Sequence, residues 1–359
     1  MVVNPTLSCL PQLYSRFPRV SIVGIGEEGN NIVSQIFEQG GSGAQCISIA
    51  TENASLEHIY SHEKVLINQW TASDAGFPSD REAGQETVQE CASLVTPLLI
   101  GADVTFIIVG TADIGKLNIA ATTASVARRI GAVTVGLAII PPDSQRDDGF
   151  IAPHGLAQMR QSCHTLAIVD TGRSARLLGY RREPAGNLSD KLTIDIVSGL
   201  SQALACPSTI NIELPAFREL MIHGGIAHAG IAHSSSALRI EEATLGALRG
   251  PLLYDDITRY RGALISVRGD SSLTIEEAER AAQLIAERAG WNVPVVMGTS
   301  VDESCYEGCQ VSLLLTGGVY PYMPGGYRRM PLEMYEMEPD GEDENPVDLE
   351  LDLDQLEET

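Results

Sequence analysis

The sequence predicts an α/β protein: a doubly wound, parallel, Rossmann-like domain, a central connecting helix, a second, smaller α/β domain and a disordered acidic tail. Three observations carry that expectation. Apolar β-branched runs alternate with helical patterns through the first half, the rhythm of a parallel sheet with crossover helices. Those runs are nearly continuous in apolar character, as strands covered on both faces are. After residue 206 the pattern changes to strands interleaved with amphipathic helices whose opposite faces are charged.

In chain order, the first half reads as strand RVSIVGIG, helix NNIVSQIFEQG, strand QCISIAT, helix REAGQETVQECASLVTPLLIGA, strand DVTFIIVG, helix NIAATTASVARRIGA, and strands VTVGLAII and HTLAIVD. A connection rich in Gly, Pro and Arg then leads to NLSDKLTIDIVSGLSQALACP, a helix that Asn187 or Ser189 can cap and Pro207 can end. Beyond it STINIEL, HGGIAHAGIAH, GALISVRG, VPVVMGTSVD and CQVSLLLTGG read as strands, with SSALRIEEATLGALRG and TIEEAERAAQLIAERAG as helices. The expected organisation is an N-terminal extension over 1–18, the first domain over 19–186, the central helix over 187–206, the second domain over 207–318 and the tail over 319–359.

The 359 residues carry 47 Asp and Glu against 24 Lys and Arg, a net charge of −23. Such an excess repels phosphate backbones and anionic lipid, so neither nucleic acid nor direct membrane insertion is expected. Thirteen of the acids fall within 331–359, where there is no Lys or Arg, so the body is only mildly acidic. In VDLELDLDQLEE, Val347, Leu349, Leu351 and Leu353 alternate with acids. Extended, they share one face and suit addition of a strand to a protein partner's sheet edge; the simpler alternative is a solvated tail. Seven scattered cysteines, no basic leader and no window of about eighteen apolar residues point to a cytoplasmic protein in a reducing compartment.

The segment GIGEEGNN, residues 24–31, lies between the first strand and the first helix, where backbone amides and a helix N-terminus can hold an anion. Gly24, Gly26 and Gly29 satisfy G-x-G-x-x-G, and Glu52 closes the second strand where a dinucleotide fold places its ribose ligand. The alternative use of these glycines is close packing of helix on strand.

The same segment is followed by GADVTFIIVG, IGAVTVGLAIIP, CPSTINIELPA, GIAHAGIAH, RGPLLYDDITRYRGALISVRGD, LTIEEAERAAQLI and MGTSVDESCYEGCQVSLLLTGG. In that order, over about 19–318, the chain resembles FtsZ, the bacterial and archaeal tubulin homologue. The resemblance implies a GTPase-type first domain that holds GTP or GDP, head-to-tail stacking, and hydrolysis by acids that the next subunit inserts.

It also implies the site residues. The first phosphate loop falls on Gly26, Glu27, Glu28, Gly29, Asn30 and Asn31, with glutamates in place of the family's inner glycines. One carboxylate about 5 Å from a phosphate charge costs roughly 3 kcal/mol at an effective dielectric near 20. The family's glycine signature falls on ADIGKLN, which puts Ile114, Gly115 and Lys116 where small residues would wrap a triphosphate; Asp113 adds a like charge. Lys116 either pairs with a phosphate or faces water. The ribose-contacting pair falls near Asp148 and Ala152, and the guanine-recognising acid near Lys191, although a slip of one residue restores Asp190. The catalytic Asn-x-Asp-x-x-Asp becomes Asn211, Glu213 and Ala216, so the second acid is missing.

No metal site is expected. His223, His228 and His233 recur every five residues, which a strand spreads over opposite faces, and they read as turn or surface histidines. His58 and His62 stand four apart on an expected helix without a third ligand, and Cys305 and Cys309 lack a second pair. Arg268, beside Gly269 and Asp270, reads as a turn. The expected function is a cell-division or cytoskeletal protein that self-associates, or co-assembles with an active FtsZ, around a degenerate GTP site with little or no hydrolysis. The alternatives are a slow GTPase and a dinucleotide-binding Rossmann protein.

Overall fold

The computed structural model describes residues 17–67, 81–140, 153–170, 185–249, 259–290, 293–302, 305 and 308–319. Asp148, the tail and its motif lie outside them. The elements are β1 (Val20–Ile25), α1 (Gly26–Glu38), β2 (Gln45–Ala50), β3 (Glu63–Leu66), α2 (Arg81–Leu99), β4 (Val104–Gly110), α3 (Ile114–Arg129), β5 (Val133–Ile140), α4 (Pro153–Ser162), β6 (Thr165–Asp170), α5 (Ala185–Ala205), α6 (Leu214–Ile222), β7 (Gly225–Ser234), α7 (Arg239–Leu248), β8 (Gly262–Gly269), α8 (Ile275–Ala289), β9 (Val295–Val301) and β10 (Cys309–Gly318).

Among the described residues, ten strands join one sheet in the order β3-β2-β1-β4-β5-β6-β7-β10-β8-β9. Pairing is parallel from β3 through β7 and again between β8 and β9, whereas β10 runs antiparallel to both β7 and β8. The two halves meet where β7 continues the sheet beyond β6, with Thr165 opposite Gly225 and Ile168 opposite His228. Strands β1, β4, β5 and β6 are buried at every position, which is why their sequences show no alternation. Apolar residues of α1, α5 and α6 pack with one face of the sheet. The other face is covered by α2, α3 and α4 in the first half and by α7 and α8 in the second.

Four local readings are corrected. STINIEL is not a strand: Asn211 Oδ1 accepts from the Ser208 backbone N–H at 3.1 Å, closing a turn, while the N–H of Ile210 bonds Thr299 and that of Ile212 bonds Ala203. The chain then enters α6, an element the sequence reading did not assign; nor did it assign β3 or α4. His58 and His62 are not on a helix, because a single 3-10 turn ends at Leu56. His62 Nδ1 instead accepts from the Cys46 N–H at 2.9 Å. His228 is fully buried and hydrogen-bonds Tyr260. Arg268 is no turn residue: it sits inside β8 and is buried.

The junction of β1 and α1 has no loop at all. Ile25 ends the strand and serves as the helix N-cap, and Gly26 turns the chain at φ +73°. Helix α1 then lies so close to the sheet that a Cβ on Gly29 would overlap the Ile108 carbonyl, and one on Gly24 would overlap the carbonyl of Gly29. Gly29 has an ordinary backbone conformation, so what it supplies is space. Gly29→Ala is expected to lower stability by about 3 kcal/mol through overpacking, measured as a shifted urea midpoint; a change within error would contradict this packing.

Candidate nucleotide site

Strand order reverses direction between β1 and β4, and in an open parallel sheet ligands bind outside the carboxyl ends of the strands at that crossover. Here those ends deliver Gly26 to Asn31 from β1 and Gly110 to Lys116 from β4. Four of the expected contact residues take up distinct roles. Glu27 is exposed and turned to solvent. Glu28 points inward, over Gly110: a Cβ added there would meet its carboxyl carbon at 2.8 Å. Asn30 is buried and bonds the backbone of β2 in both directions, donating to Ile49 O at 2.9 Å and accepting from Ile49 N at 3.2 Å. Asn31 is exposed.

The N-terminus of α3 is already capped. Asp113 is its N-cap, and Asp113 Oδ1 accepts from the Gly115 N–H at 2.7 Å and the Lys116 N–H at 3.4 Å. These amides are the ones a helix start would offer an anion. Lys116 neither faces open water nor stands free. Its stem crosses Gly26, and its Nζ lies 3.9 Å from Glu28 Oε2. That oxygen is buried without a hydrogen bond, so the ion pair is long and incompletely satisfied. Ile114 is exposed at the rim.

Asp190 and Lys191 diverge. Asp190 titrates near 6 rather than 3.8, first because it is desolvated and second because the Glu28 charge repels its own. Its carboxyl therefore lies within electrostatic reach of Glu28. Lys191 is exposed and borders a different cleft. Glu52 is exposed at the end of β2.

Asn211, Glu213 and Ala216 lie elsewhere. Asn211 and Glu213 border a hollow with Phe17, Pro18 and Asp103, residues that precede β1 and β4, and Ala216 follows them in α6. The phosphate-loop positions follow those strands. A six-residue strand at about 3.3 Å per residue separates the two groups by roughly 20 Å, so within one chain they cannot act on the same atom. Glu213 is exposed at the N-cap of α6 and makes no capping bond, while Ala216 contributes no acid.

Because folding raises the Asp190 pKa, the native state holds its proton more tightly than the unfolded chain, and stability from this group is lost as pH rises from about 3.8 to about 6. Asp190→Asn should therefore gain in melting temperature relative to the parent across that window and hold the gain above it. Glu28→Gln should shrink the effect. A difference independent of pH would contradict the coupling of the two carboxylates.

Residues 225–318 match the family model for the FtsZ family, C-terminal domain. Over 336 residues the chain is 27% identical to cell division protein FtsZ 1 of Thermococcus kodakarensis, covering 93% of this chain and 88% of that one. It is 29% identical over 312 residues to cell division protein FtsZ 2 of Methanocaldococcus jannaschii, covering 86% and 82%. Among solved structures, an empty FtsZ dimer of M. jannaschii superposes with a TM-score of 0.77 at 28% identity, over 85% of this chain and 90% of that one. A protofilament of CetZ2 from Haloferax volcanii with GTPγS bound shares the fold, with a TM-score of 0.62 at 21% identity over 84% and 93%. By sequence, order of elements and three-dimensional form, the chain is a divergent FtsZ-like protein of the FtsZ/tubulin superfamily.

Proposed function

We propose that this chain is a cell-division or cytoskeletal subunit that stacks on itself or on an active FtsZ, with its nucleotide site filled by its own side chains and with little or no GTP hydrolysis. The carrying observation is a pair of the chain's own carboxylates: Asp113 on the first amides of α3, and Glu28 over Gly110 against Lys116. A triphosphate does not fit these residues as they stand. Its charges would have to displace one carboxylate from its amides and the other from its lysine, and they would meet both at short range. No hydrolytic step is therefore assigned.

Stacking needs none of that chemistry. The loop around Asn211 and Glu213 and the loops around Gly26 and Lys116 sit at opposite ends of the strands, so a head-to-tail, heterologous contact brings one group onto the other. The relatives support this arrangement, one being a dimer and one a protofilament. In such a contact Glu213 offers one carboxylate and Ala216 none, which supports weak or absent turnover. The tail motif from Val347 to Leu353 would then recruit a protein partner.

A second reading, weak GTP binding, is favoured by one feature. Asp190 lies within electrostatic reach of Glu28 and, ionised, would accept from a guanine edge placed beside it.

Pelleting with and without GTP tests the proposal. Sedimentation of the chain alone to the same extent in both conditions, or with an active FtsZ when GTP is present, is expected; a monomer that leaves active FtsZ unaffected would overturn it. Glu28→Gly should raise GTP affinity at least tenfold by calorimetry, since a carboxylate near phosphate costs about 3 kcal/mol before solvent screening. Unchanged affinity would show that Glu28 is not what fills the site.

A further inference from the structure

Where β10 ends, the chain leaves the sheet beside a row of cations. Strands β5, β6 and β7 begin, and β10 ends, at one end of the sheet, as neighbours about 4.8 Å apart. An arginine stands at each of those four points. Arg218 of α6 donates from Nη2 to the Gly131 carbonyl, just before β5, at 2.8 Å. Arg128 of α3 donates from Nη1 to the Gln161 and Ser162 carbonyls, just before β6, at 2.7 and 3.3 Å. Arg160 of α4 reaches the start of β7, where a Cβ on Gly225 would lie 3.3 Å from its Nη2. Arg261 lies along the end of β10, where a Cβ on Gly317 would meet its Cγ at 2.8 Å. Exposed Arg129 stands next to Arg128.

Helix dipoles favour cations in the last turns of α3 and α4, and carbonyls occupy Arg128 and Arg218. Neither accounts for the row. A carbonyl takes a guanidinium hydrogen without cancelling its charge, and Arg261 precedes a strand, not a helix end. Among the described residues none of these five arginines makes an ion pair. Asp103 and Glu213 border the hollow beneath β1 and β4, to one side of the row, and Glu219 of α6 pairs with none of the five. The half-buried His164 feels the resulting field. Burial first, and then the Arg128 and Arg218 charges, push its pKa down to about 4. A further cation is disfavoured here, and an anion is favoured.

We propose that this row is the docking surface for the acidic stretch of the chain's own tail, residues 333–344. Charge and connectivity choose that occupant. The stretch, outside the described residues, holds seven acids and no Lys or Arg. Extended, Glu336, Glu338, Asp340, Glu342 and Glu344 share one face at a spacing of about 7 Å, long enough to cover the row. The chain also leaves β10 at the row itself: the Gly317 N–H bonds the Gly224 carbonyl at 2.7 Å, and Gly318 pairs with Ile226. From Val319 to Glu333 is about 14 residues, a contour of roughly 45 Å that reaches every arginine named. Such a tether sets an effective concentration on the order of millimolar. Exposed ion pairs, weak singly, then suffice as a set. A foreign polyanion has no tether and meets a chain of net charge −23. The motif from Val347 to Leu353 lies beyond the docked stretch. Asn211 and Glu213 lie at the same end of the strands, so stacking through them would bring the next subunit beside the docked tail; the docking itself does not require stacking.

Fluorescence polarisation with a labelled synthetic peptide of residues 331–346 tests the proposal. The full chain is compared with a full-length variant carrying Glu333→Gln, Glu336→Gln, Glu338→Gln, Asp340→Asn, Glu342→Gln, Asp343→Asn and Glu344→Gln. That variant is expected to bind the peptide saturably, and the parent at least tenfold more weakly, because its own tail holds the row. Adding Arg129→Glu and Arg261→Glu, both at exposed positions, to the variant should weaken the peptide tenfold or more with the melting temperature retained. Should the reversals unfold the chain, salt decides: about 0.5 M NaCl should weaken binding to the same degree. No binding to the variant, equal binding to both chains, or binding that neither reversal nor salt alters would each overturn the proposal. A block in the parent that fades on dilution, or duplex DNA binding to the parent row, would overturn it in favour of a neighbouring chain or a nucleic acid. GTP is absent throughout, so the outcome is independent of the nucleotide reading.

Discussion

The closeness of α1 to the sheet governs the candidate nucleotide site. Gly24 and Gly29 have no Cβ where one would collide with a carbonyl, and Gly26 turns the chain within one residue of the strand. The helix therefore starts on top of β4 instead of beyond a loop. Its second residue, Glu27, is thrown outward and its third, Glu28, is thrown over Gly110. Two adjacent residues of identical chemistry acquire opposite roles because successive side chains on a helix are about 100° apart. Lys116 then has a carboxylate within reach.

On the proposed reading, stacking and turnover come apart. Assembly would depend on complementary surfaces at the two ends of the strands, and turnover on chemistry at their junction. The strands that space those two ends are present. The residues proposed to alter the chemistry, Glu27, Glu28, Asp113 and Ala216, belong to none of the core clusters. Loss of turnover in a stacking protein would make its assemblies longer-lived or set it at the end of another's.

Much of this was legible in the sequence, unevenly. Strands such as VTFIIVG announce themselves because both faces are covered and every residue is apolar. Strand β3 was not legible because it is an edge strand with Val65 as its one buried residue. STINIEL alternates like a strand, yet its backbone groups are satisfied by Thr299 and Ala203, distant residues that local pattern does not register. The acids of the site could be read from alignment, but their directions could not. That Asp113 caps α3 was missed because the helix, expected from Asn118, starts at Ile114; an Asp just before that start is a capping signal. That Glu28 turns inward requires knowing how close α1 lies. Arg268 was misread for a similar reason. The available signal was a charged residue closing the apolar strand GALISVRG, and only the register with Gln310 shows it on the face that meets α5.

Crystals of the full chain grown with excess GTP decide whether its own carboxylates fill the site. Glu28 over Gly110 beside Lys116, Asp113 on the α3 amides and no triphosphate between them is the expected result. A triphosphate lying on the Gly115 and Lys116 amides, with both carboxylates swung away, would contradict it.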